Sequence, residues 1–110
     1  MREPYLTGLI SLTVDKAELF EFYRSLDLPY RILIEFRLKH KLGKSFEQIV
    51  AEEPWRLYPA LADTLGLHNA EVFLAVLQDW LRRKGKSVDK ETLRRWLSSR
   101  DVWFKKATKS

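Results

Sequence analysis

Proton transfer and metal ligation near neutral pH fall first to histidine, and this chain has two, His40 and His68. Neither has a second histidine or a carboxylate four residues away, the spacing that sets two ligands on one helix face. Glu52 and Glu53 are adjacent carboxylates able to attract a cation, but directly ahead of Pro54 they also sit where acids favour a helix start. Ser45, Ser98 and Ser99 lack the glycine-flanked elbow that exposes a nucleophilic serine. Gly8, Gly43, Gly66 and Gly85 are isolated, so no glycine-rich phosphate cradle forms. With no cysteine, disulfides, thiolate metal sites and cysteine nucleophiles are excluded. The residues predict no catalytic centre, no metal site and no cofactor, hence a protein that is not an enzyme.

Binding chemistry is better represented. The net charge of +5 is uneven: residues 1–53 hold eight Lys/Arg against nine Asp/Glu, and residues 54–110 hold twelve against six. A basic half of this kind suits an acidic partner. Arg82, Arg83, Lys84, Lys86, Arg94, Arg95, Lys105 and Lys106 are interleaved with Trp96, Trp103 and Phe104, the mixture that neutralises phosphates and stacks on bases. Residues 57–83 also admit a helix–turn–helix, although only Asn69 near the start of its second helix suits a base edge. The competing feature is four tryptophans, Trp55, Trp80, Trp96 and Trp103. An exposed aromatic beside an arginine makes an interface anchor, which singles out Trp55, Arg56, Tyr58 and Trp103 as protein contacts and makes self-association plausible.

The elements that must position these residues follow from apolar spacing and from glycine and proline punctuation. At 110 residues, 45% apolar and 32% charged, the chain is one globular domain. Residues 1–13 read as an extended arm and 105–110 as a frayed tail. Thr13 or Asp15 caps a first helix over 15–26. A second spans 30–42 between Pro29 and Gly43, with Ile32, Leu33, Phe36 and Leu38 facing inward. Ser45 and Gln48 have capping-box spacing before a short turn over 46–51. Pro54 starts a third principal helix that Gly66 ends. Asn69 caps a fourth, running to Lys84, whose apolar pairs 72/73, 76/77 and 80/81 recur every four residues. A fifth covers 89–98, and Val102, Trp103 and Phe104 are expected to pack back on it. The expected fold is all-α, a compact packing of about five short helices with an irregular N-terminal arm.

Several of these stretches, Leu42-Gly-Lys-Ser-Phe46, Glu53-Pro54, Ala60-Leu61, Leu65-Gly66 and Ala70 opening Val72-Phe-Leu-Ala-Val-Leu77, follow one another as in a known family. From about Leu28 to Trp96 the chain resembles a small archaeal all-helical domain family of undefined activity, found alone and as an output module of archaeal response regulators. The resemblance implies a helical fold and an archaeal origin, and it brings no catalytic residue.

No apolar run reaches the ~20 residues of a membrane span, because Arg31, Glu35, Arg37 and Lys39 interrupt the best candidate. Arg2 and Glu3 precede no signal-type apolar run, and Gln48, Asn69 and Gln78 are the only amides, a thermophile-like bias. Together these features predict a cytoplasmic, non-enzymatic interaction or regulatory module that works on a protein partner or a second copy of itself. The alternative is a nucleic-acid-binding protein using the basic C-terminal third.

Overall fold

The computed structural model describes residues 14–103, and every regular element within them is helical. The expected arm over 1–13, the tail over 105–110, Thr13 and Phe104 lie outside the described residues.

Helix α1 (Lys16–Ser25) opens with a reciprocal capping box: Asp15 accepts the Glu18 N–H at 2.8 Å, and Glu18 accepts the Asp15 N–H at 3.2 Å. Helix α2 (Leu28–Leu42) holds Pro29 in its first turn and stops at Gly43, whose φ of 73° suits glycine. Helix α3 (Phe46–Glu52) is capped by Ser45, whose hydroxyl oxygen accepts the Gln48 N–H at 3.0 Å. A 3-10 turn (Pro54–Arg56) leads into α4 (Leu57–Leu65), followed by α5 (Leu67–Arg83) and α6 (Lys90–Trp96). Residues 100–103 are again helical.

Besides the stretch 100–103, the described residues contain six α-helices and one 3-10 turn, more than the five or so expected. The excess has two sources. The turn after Ser45 is long enough to count as α3, and the segment after Pro54 divides into a 3-10 turn and α4. That division places Pro59 third in α4, among N–H positions that have no intrahelical partner in any case, so its missing donor does no harm. The neighbouring orphan N–H, that of Tyr58, bonds the Leu97 carbonyl at 3.0 Å and ties α4 to the end of α6.

The core is a single cluster drawn from every helix: Leu19 and Phe22, Ile34 and Leu38, Phe46 and Val50, Leu57 and Leu61, Phe73, Leu77 and Leu81, Leu93 and Leu97. Helix α4 lies against both α2 and α5, and α6 packs on α5. Arg37 and Lys41 of α2 donate to the Thr64 and Asp63 carbonyls at 3.1 and 3.2 Å, putting cations on the C-terminal end of α4.

Two expectations are corrected here. Helix α5 starts at Leu67 rather than after Asn69, because Gly66 (φ 97°, ψ 152°) ends one helix and begins the next. The Asn69 amide instead donates to the Leu65 carbonyl at 2.8 Å, serving the end of α4. The larger correction concerns α2. Ile34 and Leu38 are its buried residues, while Ile32, Leu33 and Phe36, expected inside, are exposed.

Candidate functional site

Helix α2 has apolar residues on two faces. One face, with Ile34 and Leu38, is wholly buried. The other carries Leu28 at 58%, Ile32 at 58%, Leu33 at 43% and Phe36 at 63% exposure. Leu28, Ile32, Phe36 and His40 follow at every fourth position, so they form one ridge along the helix. The His40 ring stacks on that of Phe36, with centroids 5.7 Å apart and an interplanar angle of 8°. The ridge forms one wall of an open groove of about 810 Å³, whose other walls are Tyr23 of α1, Ser45 and Glu47 at the start of α3, and Arg31, Glu35 and Lys39 of α2.

The floor of the groove is fixed by a small polar cluster. Tyr23 donates its hydroxyl to Glu35 Oε2 at 2.6 Å, and the Phe46 N–H donates to the same oxygen at 3.2 Å. Burial, and then the hydrogen bond to the Glu35 carboxylate, push the Tyr23 phenol far above its ordinary value, so it remains a donor. The Tyr23 ring stacks on Phe46 at 3.9 Å between centroids. These bonds link α1, α2 and the start of α3.

The basic residues singled out in the sequence are distributed differently. Arg82 and Arg83 share Asp79 at 2.6 and 2.5 Å. Lys84 reaches back to Glu21 of α1 at 2.6 Å and Lys86 to Glu18 at 2.7 Å. Arg94 grips Glu71 of α5 at 2.8 Å and also pairs with Glu91. Arg95 is exposed, and Lys105 and Lys106 lie outside the described residues.

Glu71 is the centre of a polar clasp, taking Arg94 and Lys90 from α6 and, at 2.5 Å, the Tyr58 hydroxyl from α4. The hydrogen bonds from Arg94 and then Tyr58 hold its carboxyl down at about 2, against an ordinary 4.5. Because the folded value is the lower one, the ionised clasp stabilises the fold fully above pH 4.5, and the stabilisation drains away as pH falls from 4.5 towards 2. The thermal midpoint, followed by circular dichroism, should therefore be higher for the wild type than for Glu71→Gln at pH 6. The two midpoints should converge near pH 2; a gap constant across that range would show that the clasp is not the cause.

The aromatic candidates are largely occupied within the fold. Tyr58 belongs to the clasp, and Trp103 donates its indole N–H to the Trp96 carbonyl at 2.5 Å, with its ring 4.6 Å from that of Trp96. Trp55 is half-buried beneath the Arg100 guanidinium, 5.6 Å from the ring centroid. Arg56 is exposed and pairs with Glu53 at 3.2 Å. The sequence reasoning missed the outer face of α2, although the signal was present: Leu28, Ile32 and Phe36 repeat every four residues alongside a second apolar pair, Ile34 and Leu38. Among the described residues no three of His, Asp and Glu come together as a metal site. No helix there is long and apolar enough to cross a membrane.

Comparison with protein families, curated proteins and solved structures finds no match to this chain.

Proposed function

We propose that this protein is a non-enzymatic, cytoplasmic interaction module that docks a protein partner on the outer face of α2. The observation that supports this is the placement of Leu28, Ile32, Leu33 and Phe36 in solvent on one side of a helix whose other side is fully packed. A folded domain rarely leaves a contiguous apolar patch of this kind open unless it binds something. The rim of charged residues and the open groove beside the ridge are features of a docking site. The resemblance of residues 28–96 to a family with members tied to response regulators fits a regulatory use for such a surface. The pairing of Arg82, Arg83, Lys84, Lys86 and Arg94 with carboxylates favours this reading over nucleic-acid binding, since cations already matched to acids release fewer counterions on meeting phosphate.

A single substitution separates docking from structure. Phe36→Glu should leave the thermal midpoint within a few degrees, because the ring is mostly in solvent and its removal opens no cavity. The same change should abolish binding of an anilinonaphthalene sulfonate dye, whose fluorescence reports accessible apolar surface. A large drop in the midpoint would make the face structural and defeat the proposal.

A further inference from the structure

The charges around the α2 groove are not equivalent. Arg31, Glu35, Lys39 and Glu47 all line it, together with Leu28, Ile32 and Phe36. Both acids are engaged within the fold. Glu35 Oε2 accepts the Tyr23 hydroxyl at 2.6 Å and the Phe46 N–H at 3.2 Å, and Glu47 pairs with Arg24 at 3.4 Å. The two cations are not. Arg31 donates its Nε to the Leu26 carbonyl at 3.2 Å, but neither Arg31 nor Lys39 has an ion pair among the described residues. The other two cations of α2 are spent elsewhere, Arg37 and Lys41 donating to carbonyls of α4. Lys39 lies about three turns beyond Leu28, on the same side of the helix, and about 12 Å along the axis from Arg31. The uncommitted charge of the groove is therefore positive, at two points that flank the apolar wall.

The backbone around the groove narrows the partner further. Its regular elements are helices, so no sheet edge is present to pair with an extended peptide. A segment laid on Leu28, Ile32 and Phe36 must satisfy its own N–H and C=O groups, which a helix does and an isolated strand does not. A phosphate backbone or an anionic bilayer is met by many cations at once, whereas Glu35 and Glu47 interrupt the pair here.

Building on the docking reading above, we infer that the α2 groove receives an acidic amphipathic helix of a partner protein. Its apolar stripe packs on Leu28, Ile32 and Phe36, and its flanking Asp or Glu side chains meet Arg31 and Lys39. The apolar contact supplies most of the affinity, while the two cations set orientation and select against basic helices.

Fluorescence polarisation on the full chain at low salt tests this with two labelled helical peptides, each held by a lactam bridge on its outward face. Both carry leucine at i, i+3, i+4 and i+7; one has Glu on the flanks and the other Lys. The acidic peptide should bind about tenfold more tightly than the basic one. Lys39→Glu breaks no internal ion pair and should remove most of that preference. Arg31→Glu/Lys39→Glu should reverse it. Arg31→Glu also gives up the bond to Leu26, so circular dichroism checks the double variant's fold, and Lys39→Glu alone decides if that fold is lost. Ile32→Ser/Phe36→Ser should bind neither peptide. Equal binding of the two peptides, or a preference that Lys39→Glu leaves intact, would overturn the acidic helix; if that binding still needs Ile32 and Phe36, the docking reading stands. A chain that binds neither peptide but still binds the dye in a Phe36-dependent way likewise sinks only this inference, and one that binds neither peptide nor dye sinks both. Peptide binding that develops only after Leu9→Asp and Ile10→Asp, a mass that doubles with concentration, or sedimentation with anionic vesicles would show a different occupant, and the inference falls.

Discussion

Replacing Phe73 with alanine should cost about 3–5 kcal/mol, the usual range for truncating a fully buried phenylalanine. Phe73 lies on α5 with its ring centroid 5.4 Å from Phe22 of α1 and 5.9 Å from Phe46 of α3. Phe46 in turn stacks on Tyr23. The ring therefore joins α5 to two further helices, α1 and α3, and the space it leaves cannot close by moving a single neighbour. A domain of this size has about 5–15 kcal/mol of stability in total, so the loss is a large part of what holds it folded. Urea unfolding should show a lower midpoint with an unchanged slope, since the surface exposed on unfolding stays the same. Val72→Ala, one residue earlier and 40% exposed, should shift the midpoint by about a tenth as much. Equal effects at 72 and 73 would mean that α5 is rotated from the orientation described.

That contrast between neighbours shows how far the sequence could be read. The apolar pairs on α5 announced a helix and placed its core face to within one residue's rotation. Phe73, Leu77 and Leu81 are buried together with Ala70 and Leu74, while Val72 and Val76 lie on the margin at 40% and 37% exposure. The caps at Asp15 and Ser45 were legible because they are local, each accepting the N–H three residues on; Asp89 does the same for Thr92, although the spacing placed it inside its helix. Gly43, Gly66 and Gly85 all take positive φ, as helix stops should. Helix α2 was misread for a physical reason. A helix with apolar residues at 28, 32 and 36 and also at 34 and 38 has two candidate core faces, and periodicity alone does not choose between them. The choice is made by α4, which meets Ile34 and Leu38 and holds Arg37 and Lys41 on its C-terminal carbonyls. The pairing of Lys84, Lys86 and Arg94 with distant acids was out of reach for the same reason. Lys84 with Glu21 and Lys86 with Glu18 span 63 and 68 residues, and Arg94 with Glu71 spans 23. Such partners are set by the packing of α1 and α6 around α5, not by local spacing.

The second large effect is expected at Trp96. Its ring is 6% exposed, and its indole N–H donates to the Val14 carbonyl at 2.5 Å, a bond across 82 residues of chain. Its own carbonyl accepts the Trp103 indole N–H, and the two rings pack 4.6 Å apart. Trp96 is thus a double fastener: inward it pins Val14, two residues before α1, and outward it seats the segment from 100 to 103. Trp96→Ala should cost about 3–5 kcal/mol through lost packing alone. Trp96→Phe separates the contributions, since it keeps most of the ring and removes only the donor. The Val14 carbonyl, on a residue 1% exposed, then has no indole partner, at an expected cost of about 1–3 kcal/mol. Hydrogen exchange should distinguish the two routes. In Trp96→Phe, protection should fall around residues 14–19 and persist at 100–103, because the Trp96 carbonyl that holds Trp103 is untouched. In Trp96→Ala both segments should lose protection, since the platform beneath Trp103 is gone. Full stability in Trp96→Phe would instead show that water or a neighbouring donor can serve the Val14 carbonyl, and that the fastening is made by the ring's surface rather than by its N–H.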